Sequence, residues 1–329
     1  MKKRRICTLL LVITLLLSGC SVFLVDSVSQ PQSTVANKED GWYYLPAYTN
    51  YAPQGLPDFD QRQDNWKARQ GIWRFVGGLW SFCGPSSLAE IFWWFDSKHE
   101  DPDGYPGDGN NTYPLVRDLQ APGVPIPGPL SDDHNFNNVN DAATAWRSGR
   151  GPKELIEQLA WYCNSDFCRY PFIRGIFGTF QNYLEDGAWQ WICDAGLQEH
   201  YRIEAVYHPE FTIICDHIQQ NDAVVVLFLF YRPHASIFPT FRISHYCAVA
   251  GVNLEGYIAL SDPIQNIENP GPSPADHNDA GIVSHDIHAI NFSCPLPERA
   301  SWWIPNYFSV GPIKLGGIPT YALIISEID

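Results

Sequence analysis

Cys83 stands at the start of a predicted helix, where its thiol could act as a nucleophile. Pro85 fits the first turn of a helix, because its missing N–H would have no partner there. Apolar residues then recur at helical spacing: Leu88, Ile91, Phe92 and Phe95. The free N–H groups and the positive dipole end of a helix start stabilise a thiolate, the form of cysteine that attacks a carbonyl. Position alone also fits a structural cysteine at a helix cap.

A histidine and an aspartate farther along the chain could complete a catalytic triad. His245 is the only ionisable residue ahead of an apolar run that reads as a strand over residues 244–252. Residues 253–256 read as a turn centred between Leu254 and Glu255, so position 262 faces position 247 in the hairpin. Asp262 is then a diagonal neighbour of His245 on the same face. A carboxylate there would orient the imidazole and stabilise its charged form, whereas the alternative is a core histidine.

Together these segments resemble a known peptidase family. The motifs are Cys83-Gly84-Pro85-Ser86-Ser87-Leu88-Ala89, His245-Tyr246 and Asp262-Pro263. They are similar to family thirty-nine of the papain-like cysteine peptidases, which contains the bacteriocin leader peptidases and secreted relatives. The resemblance covers residues 57 to about 95 and 209 to about 265. It implies a papain-like fold, in which a helix presents the cysteine across a cleft from an antiparallel sheet carrying histidine and aspartate.

The same resemblance implies a glutamine that helps to hold the oxyanion. In the family its side-chain amide acts together with the backbone N–H of the cysteine. The family position six residues before Cys83 holds Gly77 here, so the donor must come from farther back. Gln61 is the preferred candidate, and Gln63, two residues on, would share its face in an extended segment.

Metal and cofactor sites are not expected from the sequence. Cysteines at Cys-x-x-Cys spacing do not occur. The acidic loop with Asp101, Asp103 and Asp108 matches no EF-hand spacing, and a solvated loop fits it better. Three histidines, His277, His285 and His288, have no carboxylate at a convincing spacing.

The elements that must position the triad are predicted as helices first and sheet second. Helical patterns cover residues 153–162, 180–194 and 211–220 after the helix that Cys83 begins. Strand patterns cover residues 203–207, 223–231, 243–252, 257–260 and 321–328. This segregation predicts an α+β fold. Residues 42–329 read as one domain with a long insertion at about 100–205, and its Pro-, Gly- and Asp-rich part at 100–150 is a candidate lid or rim.

The N-terminus reads as an export signal. Basic residues at 2–5 precede an apolar run at 6–17 that is too short to span a bilayer. Leu17-Ser18-Gly19-Cys20 resembles the lipobox of prokaryotic lipoproteins, which predicts a signal peptide at 1–19, lipid on Cys20 and a tether at 20–41. An ordinary secretory signal is the alternative. Seven cysteines follow Cys20, and an odd number leaves at least one free thiol in an oxidising compartment.

The expected function is peptide-bond hydrolysis on the extracytoplasmic side of a membrane. Without the signal, 17 basic residues face 36 acidic ones, and the resulting net charge of −19 disfavours nucleic acid as a partner. The expected partner is a peptide or protein substrate, with membrane contact only through the N-terminal lipid. Two alternatives stay open: a catalytically inactive surface binding protein, and a triad enzyme acting on other amides, such as a transglutaminase-like enzyme or a cell-wall amidase.

Overall fold

The computed structural model describes residues 41–48, 52, 55–59, 61, 67–68, 79–99, 112–117, 119–121, 124–125, 155–170, 178–231, 240–264, 286–310 and 313–328. Several predictions lie outside these residues: the signal peptide, the lipid site at Cys20, nearly all of the tether, Gln63, the acidic loop at 101–108, His277 and His285. Most of the predicted rim at 100–150 lies outside them as well.

Four α-helices and twelve strands occur in the described ranges. The helices are α1 (Cys83–His99), α2 (Leu155–Tyr162), α3 (Gln181–Asp194) and α4 (Phe211–Gln219). The strands are β1 (Trp42–Tyr44), β2 (Lys67–Ala68), β3 (Leu79–Trp80), β4 (Leu119–Ala121), β5 (Val124–Pro125), β6 (Tyr201–Tyr207), β7 (Ala223–Tyr231), β8 (Thr240–Asn253), β9 (Tyr257–Ser261), β10 (Asp286–Ala289), β11 (Ile304–Val310) and β12 (Ile313–Glu327). None of the helices in this part of the chain has the length and apolar character that a bilayer crossing requires.

Eight of the strands form one antiparallel sheet. Its order is β10-β9-β8-β7-β12-β11, with β1 beside β8 and β6 beside β12. The strands β2 and β3 pair separately, as do β4 and β5. The molecule is therefore a mixed α/β structure whose main sheet is antiparallel, as the order of helix and strand patterns predicted.

The sheet is covered on both faces, which explains the unbroken apolar sequence of β7. On one face, Tyr246 and Tyr321 flank Leu227 across the strands, and their hydroxyls lie near Cys83 at the start of α1 and near Glu185 of α3, respectively. We call this the α1 face. On the other face, Trp302 packs between Phe228 of β7 and Phe211 of α4. We call this the α4 face.

The predicted elements are confirmed where the sequence pattern was regular. Helix α1 begins at Cys83, β7 has the predicted bounds, and α2, α3 and α4 each start or end within two residues of their predicted bounds. The helices α2 and α3, predicted within the insertion, pack with α1 in the core, where Trp191 stacks on Phe92 and meets Tyr162 edge-on.

Three strands of the main sheet were not predicted: β1, β10 and β11. Strand β11 contains Pro305 and Asn306, both typical of turns, and Asn306 has a positive φ of 56°. A register shift between Ile304 and Phe308 accommodates them in the pairing with β12. Strand β11 is therefore stabilised by its pairing with β12, and a local sequence pattern does not reveal such a pairing.

Candidate active site

The hairpin of β8 and β9 sets the register of the candidate site. Its loop centre lies on Glu255, since Asn253 pairs with Tyr257, and Gly256 takes the positive φ of 98° that a three-residue loop needs. The sequence placed this centre half a residue earlier. A bulge between Val249 and Gly251 compensates, so that Ala248 pairs with Ser261 and the predicted register holds at the site.

His245 and Asp262 are in direct contact, as this register predicted. Their Nε2 and Oδ1 atoms lie 2.6 Å apart, and the two residues are 3% and 2% exposed. The same Oδ1 accepts a hydrogen bond from the backbone N–H of Ile264 at 2.9 Å. Both groups come from the α4 face of the hairpin, with the ring of Phe230 alongside the imidazole. The contact between His245 and Asp262 that the register predicted is therefore confirmed, and it is buried.

Tyr307 of β11 connects the aspartate to a second thiol. Its hydroxyl donates to Asp262 Oδ2 at 2.6 Å and lies 2.9 Å from the Sγ of Cys247. Cys247 is two residues from His245 on the same face and is fully buried. Sequence reasoning missed Tyr307 because the strand that carries it has no regular pattern. The result is a closed chain of contacts: Cys247, Tyr307, Asp262 and His245.

The electrostatics of this chain favour a charged pair. Burial opposes ionisation of Asp262, but His245 and hydrogen bonds from Tyr307 and Ile264 outweigh it and hold the pKa of the carboxyl below its usual range. Burial likewise opposes the charged imidazole, but Cys247, in its thiolate form, and the Asp262 carboxylate both raise the pKa of His245 well above its ordinary value. Burial also raises the pKa of Cys247, so this thiol is neutral at pH 7. The carboxylate is therefore the group that holds an imidazolium here.

Cys83 occupies the first position of α1, as predicted, and is 9% exposed. Its thiol lies close enough to the Tyr246 hydroxyl in the sheet to contribute to the raised pKa of Tyr246, after the larger effect of burial. Tyr246 follows His245 in a regular stretch of β8, so the two side chains point to opposite faces. The structure thus brings His245 and Asp262 together and places Cys83 beside the next residue of the strand, on the α1 face. Among the described residues, no hydrogen bond joins Cys83 to His245.

Gln61 is far from Asp262 in the sequence but lies beside the chain that follows β9 in the fold. Its backbone N–H donates to the carbonyl of Pro263 at 2.8 Å. Its side-chain amide is fully buried, and neither amide atom has a hydrogen-bond partner within the described ranges. Two residues earlier, the N–H of Phe59 donates to Glu90 Oε1 of α1 at 3.1 Å. The segment carrying Gln61 therefore bridges α1 and the aspartate end of the hairpin.

Glu90 is a further buried acid that sequence reasoning did not single out. It is fully buried in α1, and burial, followed by the nearby charge of Asp58, raises the pKa of its carboxyl well above its ordinary value. The signal was present, since an acidic residue interrupts the apolar run Leu88-Ala89-Glu90-Ile91-Phe92. A buried carboxyl near a candidate site is a group that such a pattern could have marked.

His288 of β10 joins the α4 face near Tyr307. It pairs opposite Ile258, and its ring meets that of Tyr307 edge-on, with centroids 4.9 Å apart. The side chain as a whole is partly exposed, but its Nε2 atom is enclosed and has no hydrogen-bond partner within the described ranges. Burial lowers the pKa of His288 to about 4, against the opposing charge of Asp262, so the ring is neutral at pH 7.

The seven cysteines after Cys20 are all free thiols in the structure. Cys163 and Cys168, the pair closest in sequence, are separate: the Sγ of Cys168 contacts the carbonyl of Ala160 at 3.5 Å, and Cys163 packs against Gly187, where a Cβ would come within 2.7 Å. Cys193 and Cys294 are partly exposed. These two supply reference thiols for any test of reactivity.

Comparison with known proteins gives no independent indication of function. No known protein family matches the chain. No curated protein matches it at a significant level either. The function must therefore be argued from the site.

Proposed function

We propose that the chain is an exported, lipid-anchored cysteine peptidase with a papain-like arrangement. The thiolate of Cys83 attacks a peptide carbonyl, and Gln61 together with the Cys83 N–H holds the oxyanion. In this proposal His245 gives its proton to the leaving amine as the C–N bond breaks and a thioester forms, which requires the imidazole to reach the Cys83 side of β8. Water then hydrolyses the thioester while His245 takes back a proton. Asp262 orients the imidazole throughout.

The observation that carries the proposal is the hydrogen bond between His245 and Asp262. Both residues were expected to meet from the hairpin register, and they do so at 2.6 Å in a buried setting. A buried carboxylate raises the pKa of the imidazole, as the acid step of the mechanism requires. A pair of titratable groups perturbed in this way is common at functional sites.

Unsatisfied polar groups near Cys83 also support the proposal. Buried polar atoms are nearly always hydrogen-bonded in folded proteins. Near the first half of α1, several have no partner within the described ranges: the amide of Gln61, the hydroxyls of Ser86, Ser87 and Tyr246, and Oε2 of Glu90. These residues are enclosed, with 0–2% of each exposed, so they supply polar surroundings at the start of α1 rather than a surface already open to a substrate.

The decisive test is the rate at which each thiol of the purified protein reacts with a limiting amount of iodoacetamide, measured by mass spectrometry of the peptides. We expect Cys83 to react faster than the partly exposed Cys193 and Cys294. In His245→Gln, the Cys83 rate should fall about a hundredfold while the two reference thiols keep theirs. Peptide hydrolysis should disappear in Cys83→Ala.

Equal rates for the three thiols, unchanged by His245→Gln, would overturn the proposal. A panel of peptide and peptidoglycan substrates then separates a peptidase from an amidase, because the two release different amines. Hydrolysis that persists in Cys83→Ala would assign the activity to another group.

A second candidate function is a binding protein that keeps the scaffold without catalysis. The observation that favours it is the position of Cys83 beside Tyr246, on the face of β8 opposite His245. In that case Cys83 reacts no faster than the reference thiols, and ligand binding survives in Cys83→Ala. The same iodoacetamide experiment therefore distinguishes the two functions.

The lipid anchor has its own test. In the full-length chain expressed with its signal, Cys20→Ala should move the protein from the membrane fraction to the soluble exported fraction, because acylation of Cys20 is what retains it. Unchanged membrane retention in Cys20→Ala would argue against lipid on this residue.

A further inference from the structure

The α4 face carries a cluster of metal-binding side-chain types. One ligand atom each from His245, Cys247 and Asp262 lies within 4.8 Å of the others, and all three residues are buried. Imidazole nitrogen, thiolate sulfur and carboxylate oxygen are the donors that Zn²⁺ takes in proteins. They are contributed by neighbouring positions of one hairpin, so the sheet fixes their spacing.

His288 stands on the same face but outside this group of donors. It pairs opposite Ile258 of β9, which lies four residues before Asp262, and its ring meets Tyr307, whose hydroxyl binds Asp262. Three protein ligands leave the fourth position of a tetrahedral zinc ion for a water molecule, as in open zinc sites.

We propose that His245, Cys247 and Asp262 form a binding site for Zn²⁺, with water as the fourth ligand. Tetrahedral zinc, with Zn–N near 2.0 Å and Zn–S near 2.3 Å, separates its donors by about 3.5 Å. The cluster therefore contracts on one side, and the His245–Asp262 contact opens. Binding releases the proton of the Cys247 thiol and the proton that His245 shares with Asp262. Tyr307 keeps its hydrogen bond to the carboxylate and orients it as a ligand.

The site has a consequence for the proposed peptidase, although it does not depend on that function. A His245 imidazole bound to zinc through one ring nitrogen stays neutral, so it cannot form the imidazolium that protonates the leaving amine. Zinc should therefore inhibit peptide hydrolysis, and a chelator should restore it. Metal binding itself can be measured whether or not the protein has any activity, so the two proposals can fail separately.

The test is a Co²⁺ titration of the metal-free full-length protein, followed by absorbance. We expect one Co²⁺ per chain, with the visible bands of a tetrahedral ion and the near-ultraviolet band of a thiolate ligand, both removed by adding Zn²⁺. In Cys247→Ser the thiolate band should vanish. In His245→Gln the affinity should fall at least about tenfold.

Cys83→Ala is the matched control, since it removes a thiol from the opposite face and should keep every band. A band that survives Cys247→Ser but is lost in Cys83→Ala would overturn the site. Absence of both bands in the unmodified protein would overturn it as well, and this outcome does not depend on whether any variant folds. Far-ultraviolet circular dichroism of each variant reports its folding.

Discussion

The buried tyrosines beside the β8–β9 hairpin differ between its two faces. On the α4 face, Asp262 binds both His245 and Tyr307, and Tyr307 also meets Cys247, so the groups satisfy one another. On the α1 face, the buried hydroxyls of Tyr246 and Tyr321 have no partner within the described ranges. Adjacent residues of one strand therefore belong to two different environments.

We expect the α4 face to contribute mainly to stability and the α1 face mainly to reactivity. A closed network of buried polar groups is worth more to the folded state than its members separately, and removal of one member leaves the others unpaired. Groups without partners add little to stability and are open to a ligand. We expect the α4 face to show large losses of stability on substitution, and the α1 face to show small losses or gains.

The largest effect is expected for Asp262→Ala. The substitution leaves the His245 imidazole and the Tyr307 hydroxyl buried without their acceptor, which should lower the free energy of unfolding by about 3–5 kcal/mol, as measured by urea denaturation. The control is Asp222→Ala, because Asp222 binds His217 at a similar distance of 2.7 Å in a less enclosed pair, with the side chains of His217 and Asp222 16% and 10% exposed. Asp222→Ala should lower the free energy of unfolding by less than Asp262→Ala does, about 1–3 kcal/mol. Equal losses would remove the distinction between the enclosed pair and the partly buried one.

The next largest effect is expected for Tyr307→Phe. It leaves Asp262 Oδ2 and the Cys247 thiol without the hydroxyl that joins them, so the free energy of unfolding should fall by about 1–3 kcal/mol. Tyr246→Phe on the α1 face is the control, since its hydroxyl has no partner within the described ranges to leave behind and the change should stay within about 0.5 kcal/mol. A larger loss for Tyr246→Phe than for Tyr307→Phe would reverse the comparison of the two faces.

The sequence predicted the contact between His245 and Asp262, because this contact follows from local pattern. The hairpin register placed Asp262 beside His245 because a turn and two strand periods determine which residues face each other. The prediction survived an error of half a residue in the turn centre, since the bulge after Val249 restored the register at the site. Bulges insert a residue without a clear sequence signature, so this compensation could not be foreseen.

The contact of Tyr307 with Asp262 and the position of Cys83 depend on long-range pairing and packing, which the sequence pattern does not show. Tyr307 reaches Asp262 only because β11 pairs with β12, and the Pro305 and Asn306 residues in β11 hide that strand from any periodic pattern. The side of β8 that meets α1 is also a property of packing. Strand alternation shows that His245 and Tyr246 point to different faces, but not which face receives Cys83.

Glu90→Gln should stabilise the protein in a pH-dependent way. Burial raises the pKa of Glu90, so the native state keeps a proton that the unfolded chain releases above about pH 4.5. Stability therefore falls as the pH rises through this range toward the folded-state pKa. Glutamine keeps the acceptor for the Phe59 N–H and cannot ionise. Urea denaturation should show a gain of about 1 kcal/mol at pH 7 and no gain near pH 4.5.

Glu327→Gln is the control of opposite sign. Although burial opposes its ionisation, contacts with His99 and Lys98 lower the pKa of Glu327. Its contribution is present at neutral pH and is lost as the pH falls, so the variant should be less stable at pH 7. A gain in both variants would show that the effect is not specific to the buried acid.

The smallest effect is expected for Cys83→Ala, and its size decides between the two roles of this cysteine. A nucleophilic thiol whose polar neighbours have no hydrogen-bond partner within the described ranges contributes little to the stability of the folded state. Its loss should therefore lower the free energy of unfolding by less than about 1 kcal/mol. Cys247→Ala, which removes a buried contact to Tyr307 on the opposite face, should lower it by more. If urea denaturation gives equal losses for the two, Cys83 is a core residue that caps α1. If Cys83→Ala leaves stability almost unchanged while removing the fast iodoacetamide reaction, the helix start holds a thiol kept for chemistry.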